Sequence, residues 1–199
     1  TTAAVIWPVT VGAPIDFNIP VIRPGRNKNA TQLSLTREKA NPPGLLEEIE
    51  RNATGKLRAE IFNNNYFIMD ENISRVGAYL IEEYRPALTA IHFISVDHFA
   101  HEEGRNGEKV KKAVGVVDRA VGSVVEAVKR AGMEENTAFI ITGDHGFVNR
   151  KTRMQPNIWL RKAGLMNNIG QGDWKAQFKP AVGSAFLYLK VKKDSATLN

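Results

Sequence analysis

The stretch "IHFISVDHFAHEEG" (91–104) decides how this chain is read. Its first six residues lean apolar and are rich in β-branched and aromatic side chains, the composition of a buried strand. They run straight into Asp97, His98 and His101, side chain types that hold metal ions. A second stretch, "TAFIITGDHGF" (137–147), ends the same way in Asp144 and His145. Two strands with such ends raise the question of whether the ends meet.

What lies between them answers it. Val110, Ala113, Val114, Val117, Val121, Val124, Val125 and Val128 fall on one stripe at helical period, with Lys111, Lys112, Asp118, Arg119, Glu126, Lys129 and Arg130 on the other side. The pattern predicts a helix over 107–131 that covers a sheet. A strand (89–96), a covering helix and a strand apolar throughout (137–143) make a βαβ unit, whose strands are parallel. Parallel strands bring their carboxyl ends to one edge, where open α/β sheets place their sites. Neighbouring or next-neighbouring strands lie about 5–10 Å apart, within reach of one shared site.

Outward from this unit, "DENISRVGAYLIEEYRP" (70–86) has an acidic start, then Ile73, Val76, Tyr79, Leu80 and Tyr84 at helical spacing, and a closing Pro. "TTAAVIWPVTVG" reads as a strand broken by Pro8. The prolines and glycines that follow make 12–65 a mostly irregular covering segment with one short helix near Leu45–Arg51. Downstream, a short helix is expected at Ile158–Ala163, a Gly-rich turn at "NIGQGDW" and a final strand at 184–191. The fold class is therefore α/β, a mainly parallel sheet flanked by helices.

Composition narrows the chemistry. The chain has 199 residues, 43% hydrophobic and 24% charged, enough for a globular core. With no Cys, disulfides and thiolate metal sites are excluded, so a metal here is held by oxygen and imidazole. The net charge of +6 is scattered, without the basic stripe interleaved with aromatics that a nucleic-acid face needs, and no specific nucleic-acid binding is expected. No apolar run approaches the roughly 20 residues of a membrane span.

Three of the four His lie in the two clusters. Asp97 and His101, four apart, converge on one cation if the chain turns sharply at Phe99–Ala100. Asp144 and His145 sit between Gly143 and Gly146, whose backbone freedom permits the tight turn that adjacent ligands require. His98 is read as a solvent-facing or supporting residue, and His92 as a core residue. Asp118 either supports the site from the helix or forms a surface ion pair.

"SVDHFAH", the amphipathic helix with "VDRAVG", and "TGDHGF" together resemble the metal-binding core of the alkaline phosphatase superfamily, in its type I phosphodiesterase/nucleotide pyrophosphatase branch. "AAVIWPVTVGA" is similar to that branch's WPG-type segment, and the resemblance is strongest over 66–165. It implies an alkaline-phosphatase-like catalytic domain of which 1–199 is part, with 66–165 its metal-binding core and 12–65 a cap or lid. It also implies two Zn2+ ions, another divalent metal being the alternative. Asp97 and His101 would bind the first, with a His from nearer the family's C-terminus. Asp144 and His145 would bind the second, with an Asp and a Thr or Ser nucleophile from the N-terminal part.

The implied reaction is hydrolysis of a small-molecule phosphodiester or a nucleotide pyrophosphate bond through a covalent phosphoenzyme, in an exported protein. Ala100 departs from the Gly usual in the family before the His, and no His follows His145. The chain is accordingly read as an internal fragment lacking the nucleophile segment and the C-terminal metal-binding His, and inactive alone. A phosphomonoesterase or other ester hydrolase of the superfamily, and a non-catalytic binding module that keeps the fold, are the alternatives.

Overall fold

The computed structural model describes all residues except 26–28, 60–64, 150, 182, 193, 195–196 and 198–199. They divide into two compact units, Thr1–Val148 and Asn149–Asn199.

In the first unit the apolar run after Thr1 forms β1 (Thr2–Val5), the middle strand of a three-stranded sheet with β2 (Phe17–Ile19) and β3 (Leu88–Ile91) on its two sides. Both pairings are parallel, with Ala3 opposite Phe17 on one side and Thr89 on the other. Ala3, Ala4 and Val5 are buried on both faces, as a central parallel strand requires. The α/β class with a parallel sheet is thus observed.

The reading of 12–65 as a cover without sheet strands is corrected by β2. No helix makes the crossover from β1 to β2. Instead Asn18, buried in β2, donates from Nδ2 to the Thr10 carbonyl at 2.7 Å and receives the Thr10 hydroxyl on Oδ1 at 3.1 Å, tying the connecting loop to the sheet. The same segment adds α1 (Gln32–Lys39) and α2 (Leu45–Ile49), which runs on as a wider helical turn over Glu50–Thr54. Ile19, Leu33, Leu45, Leu46, Ile49 and Leu57 all enter the main core. Residues 26–28 and 60–64 of this segment lie outside the described residues.

Helix α3 (Tyr66–Tyr84) begins a turn earlier than the acidic start suggested, because Asn65 is its N-cap and accepts the Ile68 N–H at 3.3 Å. Its buried stripe contains Ile73, Val76 and Leu80 as expected, while Tyr79 and Tyr84 are half-buried. It closes at Arg85, left-handed at φ 47°, just before Pro86.

Helix α4 (Ser95–Glu103) replaces the second half of the strand expected at 89–96. Helix α5 (Glu108–Arg130) matches the expected 107–131 closely, but its buried line runs through Val110, Ala113, Val116, Ala120, Ala127 and Val128, and Val114 points to solvent. Small alanines on that line let neighbouring helices approach, and α5 packs on α3 and α4 rather than directly over the sheet.

That placement explains the largest departure. The strand expected at 137–143 has no regular structure, and Ile140 and Ile141 are 89% and 74% exposed. A strand apolar on both faces needs a paired edge and cover on each side. β3 is the edge strand of the sheet and no described strand pairs with its outer side; with α5 packed on α3 and α4, 137–143 has no cover beside that edge, and the βαβ unit stays open.

The second unit is built locally. Helix α6 (Pro156–Lys162) and the hairpin of β6 (Ala176–Ala181) and β7 (Ser184–Leu189) fall close to the helix and final strand expected there. β4 (Met166–Asn168) and β5 (Asp173–Trp174) flank the Gly-rich turn. Asn157 brackets the Phe178 backbone, donating to its carbonyl at 2.9 Å and accepting its N–H at 2.7 Å.

Candidate metal centre

β1 and β3 end together, so their carboxyl ends share an edge; the His92 N–H continues the ladder to the Val5 carbonyl at 3.1 Å. Trp7 and His92 meet there edge to face, with centroids 6.3 Å apart. Three residues past His92 the chain turns into α4, which carries the first cluster at this edge as expected. Asp97 and His101 stand one helical turn apart on α4, not in a loop, so no sharp turn at Phe99–Ala100 is needed. Residues four apart on a helix are neighbours, and Asp97 Oδ1 lies 3.4 Å from His101 Nε2.

The helix is held in place by the residues between them. Phe99 and Ala100 are buried in a cluster with Val110 and Ala113 of α5, and Phe99 stacks on Phe67 with ring centroids 4.5 Å apart. At its start the N-cap is Ile94, whose side chain cannot cap. Asp70, fully buried on α3, takes that role: Oδ1 accepts the Ile94 N–H at 2.8 Å and Oδ2 the Ser95 N–H at 3.0 Å. Burial pushes the Asp70 carboxyl up, opposed by the hydrogen bonds from Ser95 and Ile94. From sequence alone Asp70 reads as the acidic start of the helix; in the fold it is a carboxylate buried beside Met69, Ile73 and Ser74.

His145 arrives from the irregular segment after α5. Its Nε2 lies 3.5 Å from Asp97 Oδ1. Its Nδ1 lies 3.2 Å from the Gly146 carbonyl oxygen, which holds the ring with Nε2 on the side of Asp97. Phe147 anchors the loop: half-buried against the α4–α5 cluster, it stands edge to face with both imidazoles, at 4.9 Å from His101 and 5.3 Å from His145. The Arg105 guanidinium donates to its carbonyl at 3.4 Å. Nothing in the sequence pattern singles out Phe147; its role comes from the fold, where it reaches the α4–α5 cluster.

Asp97, His101 and His145 thus offer one carboxylate oxygen and two ring nitrogens, all within 4.8 Å of one another. Asp144 stands beside them: its Oδ1 accepts the His145 N–H at 3.1 Å and its exposed Oδ2 lies 3.7 Å from His145 Nε2. His98 faces elsewhere, stacked on Tyr66 at 3.6 Å and paired with Glu102 at 3.1 Å. Asp118 is exposed on α5, outside the cluster. His92 is half-buried, and its Nδ1 has no hydrogen-bond partner among the described residues.

A divalent cation fits the three-residue group. Asp97 Oδ1 is enclosed without a hydrogen-bond partner among the described residues, yet two imidazole nitrogens flank it at 3.4 and 3.5 Å. Ligands about 2.0 Å from a tetrahedral ion stand roughly 3.3 Å apart. A carboxylate with two imidazoles is a donor set for zinc or another first-row divalent metal.

The model of the family described as type I phosphodiesterase / nucleotide pyrophosphatase matches residues 1–198. Over 82 residues the chain is 33% identical to ectonucleotide pyrophosphatase/phosphodiesterase family member 7 of Mus musculus, and equally to that of Rattus norvegicus. The aligned part is 40% of this chain and 18% of each relative, so the chain spans under a fifth of the length of these curated relatives. No solved structure matches it.

Proposed function

Because the chain belongs to the type I phosphodiesterase/nucleotide pyrophosphatase family, we propose that it is part of a metal-dependent hydrolase of phosphodiester or nucleotide pyrophosphate bonds. The observation that supports this best is the Asp97–His101–His145 group, with Asp144 at its rim. Asp97 and His101 would hold one divalent cation and Asp144 and His145 a second, zinc being the metal their chemistry favours; with a single ion bound, His145 would join Asp97 and His101 on it. His145 stands close enough to Asp97 for the two sets to share one wall.

Ions held there would neutralise phosphoryl charge and lower the pKa of an attacking hydroxyl. The chain's own residues orient the site. Asp97 faces both imidazoles, the Gly146 carbonyl lies against His145 Nδ1, and Phe147 packs against both rings. A Thr or Ser hydroxyl would attack the phosphorus, the bond to the leaving alcohol or nucleotide breaking as the phosphoenzyme forms, and water would then hydrolyse that ester. The substrate is a small molecule, with no specific nucleic-acid binding. The printed names of the relatives begin with "ecto", in keeping with an exported enzyme. Among the described residues no helix is long and apolar enough to cross a membrane.

The test uses the full-length protein loaded with Zn2+, and compares hydrolysis of bis-p-nitrophenyl phosphate with p-nitrophenyl phosphate, with and without chelator and beside His145→Ala. Faster diester cleavage, abolished by chelator and by H145A, is the expected result. Preference for the monoester moves the function to a phosphatase, and no cleavage of either leaves the binding module.

A further inference from the structure

We propose that Asp70 is the positioning residue of the metal centre: its carboxylate clamps the first turn of α4 to α3 and thereby sets where Asp97 and His101 stand. The proposal rests on the metal-binding reading above.

Helix packing alone does not call for a carboxylate at this position. Its buried neighbours on α3 are Met69, Ile73, Val76 and Leu80 together with Asn72 and Ser74, none of them charged, and Asp70 is itself 0% exposed. A buried carboxylate is costly unless fully engaged. Here both oxygens are spent on one target, the backbone N–H groups of Ile94 and Ser95. Those are the groups that a helix start leaves without intrahelical partners. Since Ile94 has no acceptor in its side chain, α4 borrows its cap from another helix. A negative charge at a helix start also interacts favourably with the helix dipole.

The clamp acts close to the ligands. Asp97 lies in the same first turn as Ser95, and His101 one turn on. α4 is short, and its other firm seat is Phe99 and Ala100 against α5. Between these two anchors the helix has little freedom to rotate or slide. Metal–ligand distances tolerate only about ±0.2 Å, whereas loosening the first turn moves Asp97 relative to the two imidazoles at 3.4 and 3.5 Å. The side chain touches neither ligand, so its effect reaches the site through the helix backbone.

The experiment uses the full-length protein and Co2+ as the probe, read by its visible absorption and by titration. Four proteins are compared with wild type: Asp97→Ala, which removes the central ligand; Asp70→Asn, which keeps the side-chain volume but turns an amide NH2 toward one of the two N–H donors; Asp70→Glu, which keeps both acceptors but displaces them; and Val128→Ala, a core truncation at the far end of α5. Asp70→Asn is expected to bind Co2+ roughly 10–100-fold more weakly, the usual loss when a ligand's support is removed. At saturating Co2+ its band is shifted or weakened, while Val128→Ala keeps the wild-type affinity and band. Should Asp70→Asn not fold, the same change in affinity and band in Asp70→Glu carries the expectation. A wild-type band and affinity in the folded Asp70 variants, or an equal loss in Val128→Ala, overturns the proposal alone. A wild-type protein without Asp97-dependent Co2+ binding overturns the metal reading, and the proposal with it.

Discussion

The two halves of the metal centre reach it by different routes. Asp97 and His101 ride on a helix whose start is clamped by a buried carboxylate and whose middle is seated on α5. His145 and Asp144 come from a segment with no regular structure, exposed along most of its length and tied down at its end by Phe147 and Arg105. One half is fixed by backbone geometry and the other by the packing of Phe147 and one hydrogen bond from Arg105. A site built so divides its tolerance unequally: the helical pair defines where a cation sits, and the loop brings the remaining ligands to it.

The largest expected effect tests the helical half. Asp97→Ala removes the oxygen that both imidazoles face, and in the full-length protein it should lower diester hydrolysis by about 1000-fold or more through kcat, as loss of a metal ligand does. Activity within tenfold of wild type would show that Asp97 is no ligand. Phe147→Ala comes next. With its anchor gone His145 keeps its chemistry but not its place, so metal affinity should fall roughly 10–100-fold. Because Phe147 is only half-buried, global stability should drop by about 1–2 kcal/mol, less than the 3–5 typical of a buried Phe. Phe147→Leu, which keeps part of the packing, should fall between. If Phe147→Ala costs stability and leaves the Co2+ spectrum untouched, the loop is held by something other than this ring.

The same contrast explains what could be read from sequence. α5 was legible because a 23-residue amphipathic pattern is a long, strongly periodic signal, although its centre lay at Val116 and Ala120 rather than on the valine stripe. The Asp–His pairs stand out in the sequence because such side chains at such spacings are chemically distinctive, and the structure brings Asp97, His101 and His145 together. β2 and α1 were not. Three residues of strand carry almost no period, and α1 buries only Leu33 and Thr36, its start marked by a Thr31–Ser34 capping box inside a polar stretch. The run after Ile91 was read as strand because it is apolar. What starts the helix there is Asp70, 24 residues earlier in the chain, which takes the N–H groups of Ile94 and Ser95, and no local pattern reveals such a partner. In the segment 137–143 the strand propensity is real, but propensity without a paired edge and two covering layers makes no strand.

The smallest effect concerns the other end of α3. Glu48 of α2 accepts the hydroxyls of Tyr84 and Tyr79, the latter at 2.8 Å, and Phe17 of β2 stacks on Tyr84 at 4.0 Å. These contacts hold the end of α3 remote from Asp70. The Tyr84 and Tyr79 phenols keep the Glu48 carboxyl below its ordinary 4.5, and the bond to Glu48, with burial, raises the Tyr84 phenol above its ordinary 10.0. A carboxyl depressed by folding contributes stability above its unfolded value and loses it as pH falls through the lowered one; a phenol raised by folding contributes below its unfolded value and loses it as pH rises through the raised one. The pair therefore supports the fold across the window from 4.5 to 10.0 and weakens outside it. Tyr84→Phe keeps the stacking on Phe17 and removes one bond to a partly exposed charge, so urea unfolding at neutral pH should show a loss of about 1 kcal/mol. Its stability should also fall less steeply than wild type on acidification below pH 4.5, while its Co2+ affinity stays unchanged. An acid slope identical to wild type would assign the loss to packing, and a weakened Co2+ site would mean that α3 transmits strain along its whole length to the clamp at Asp70.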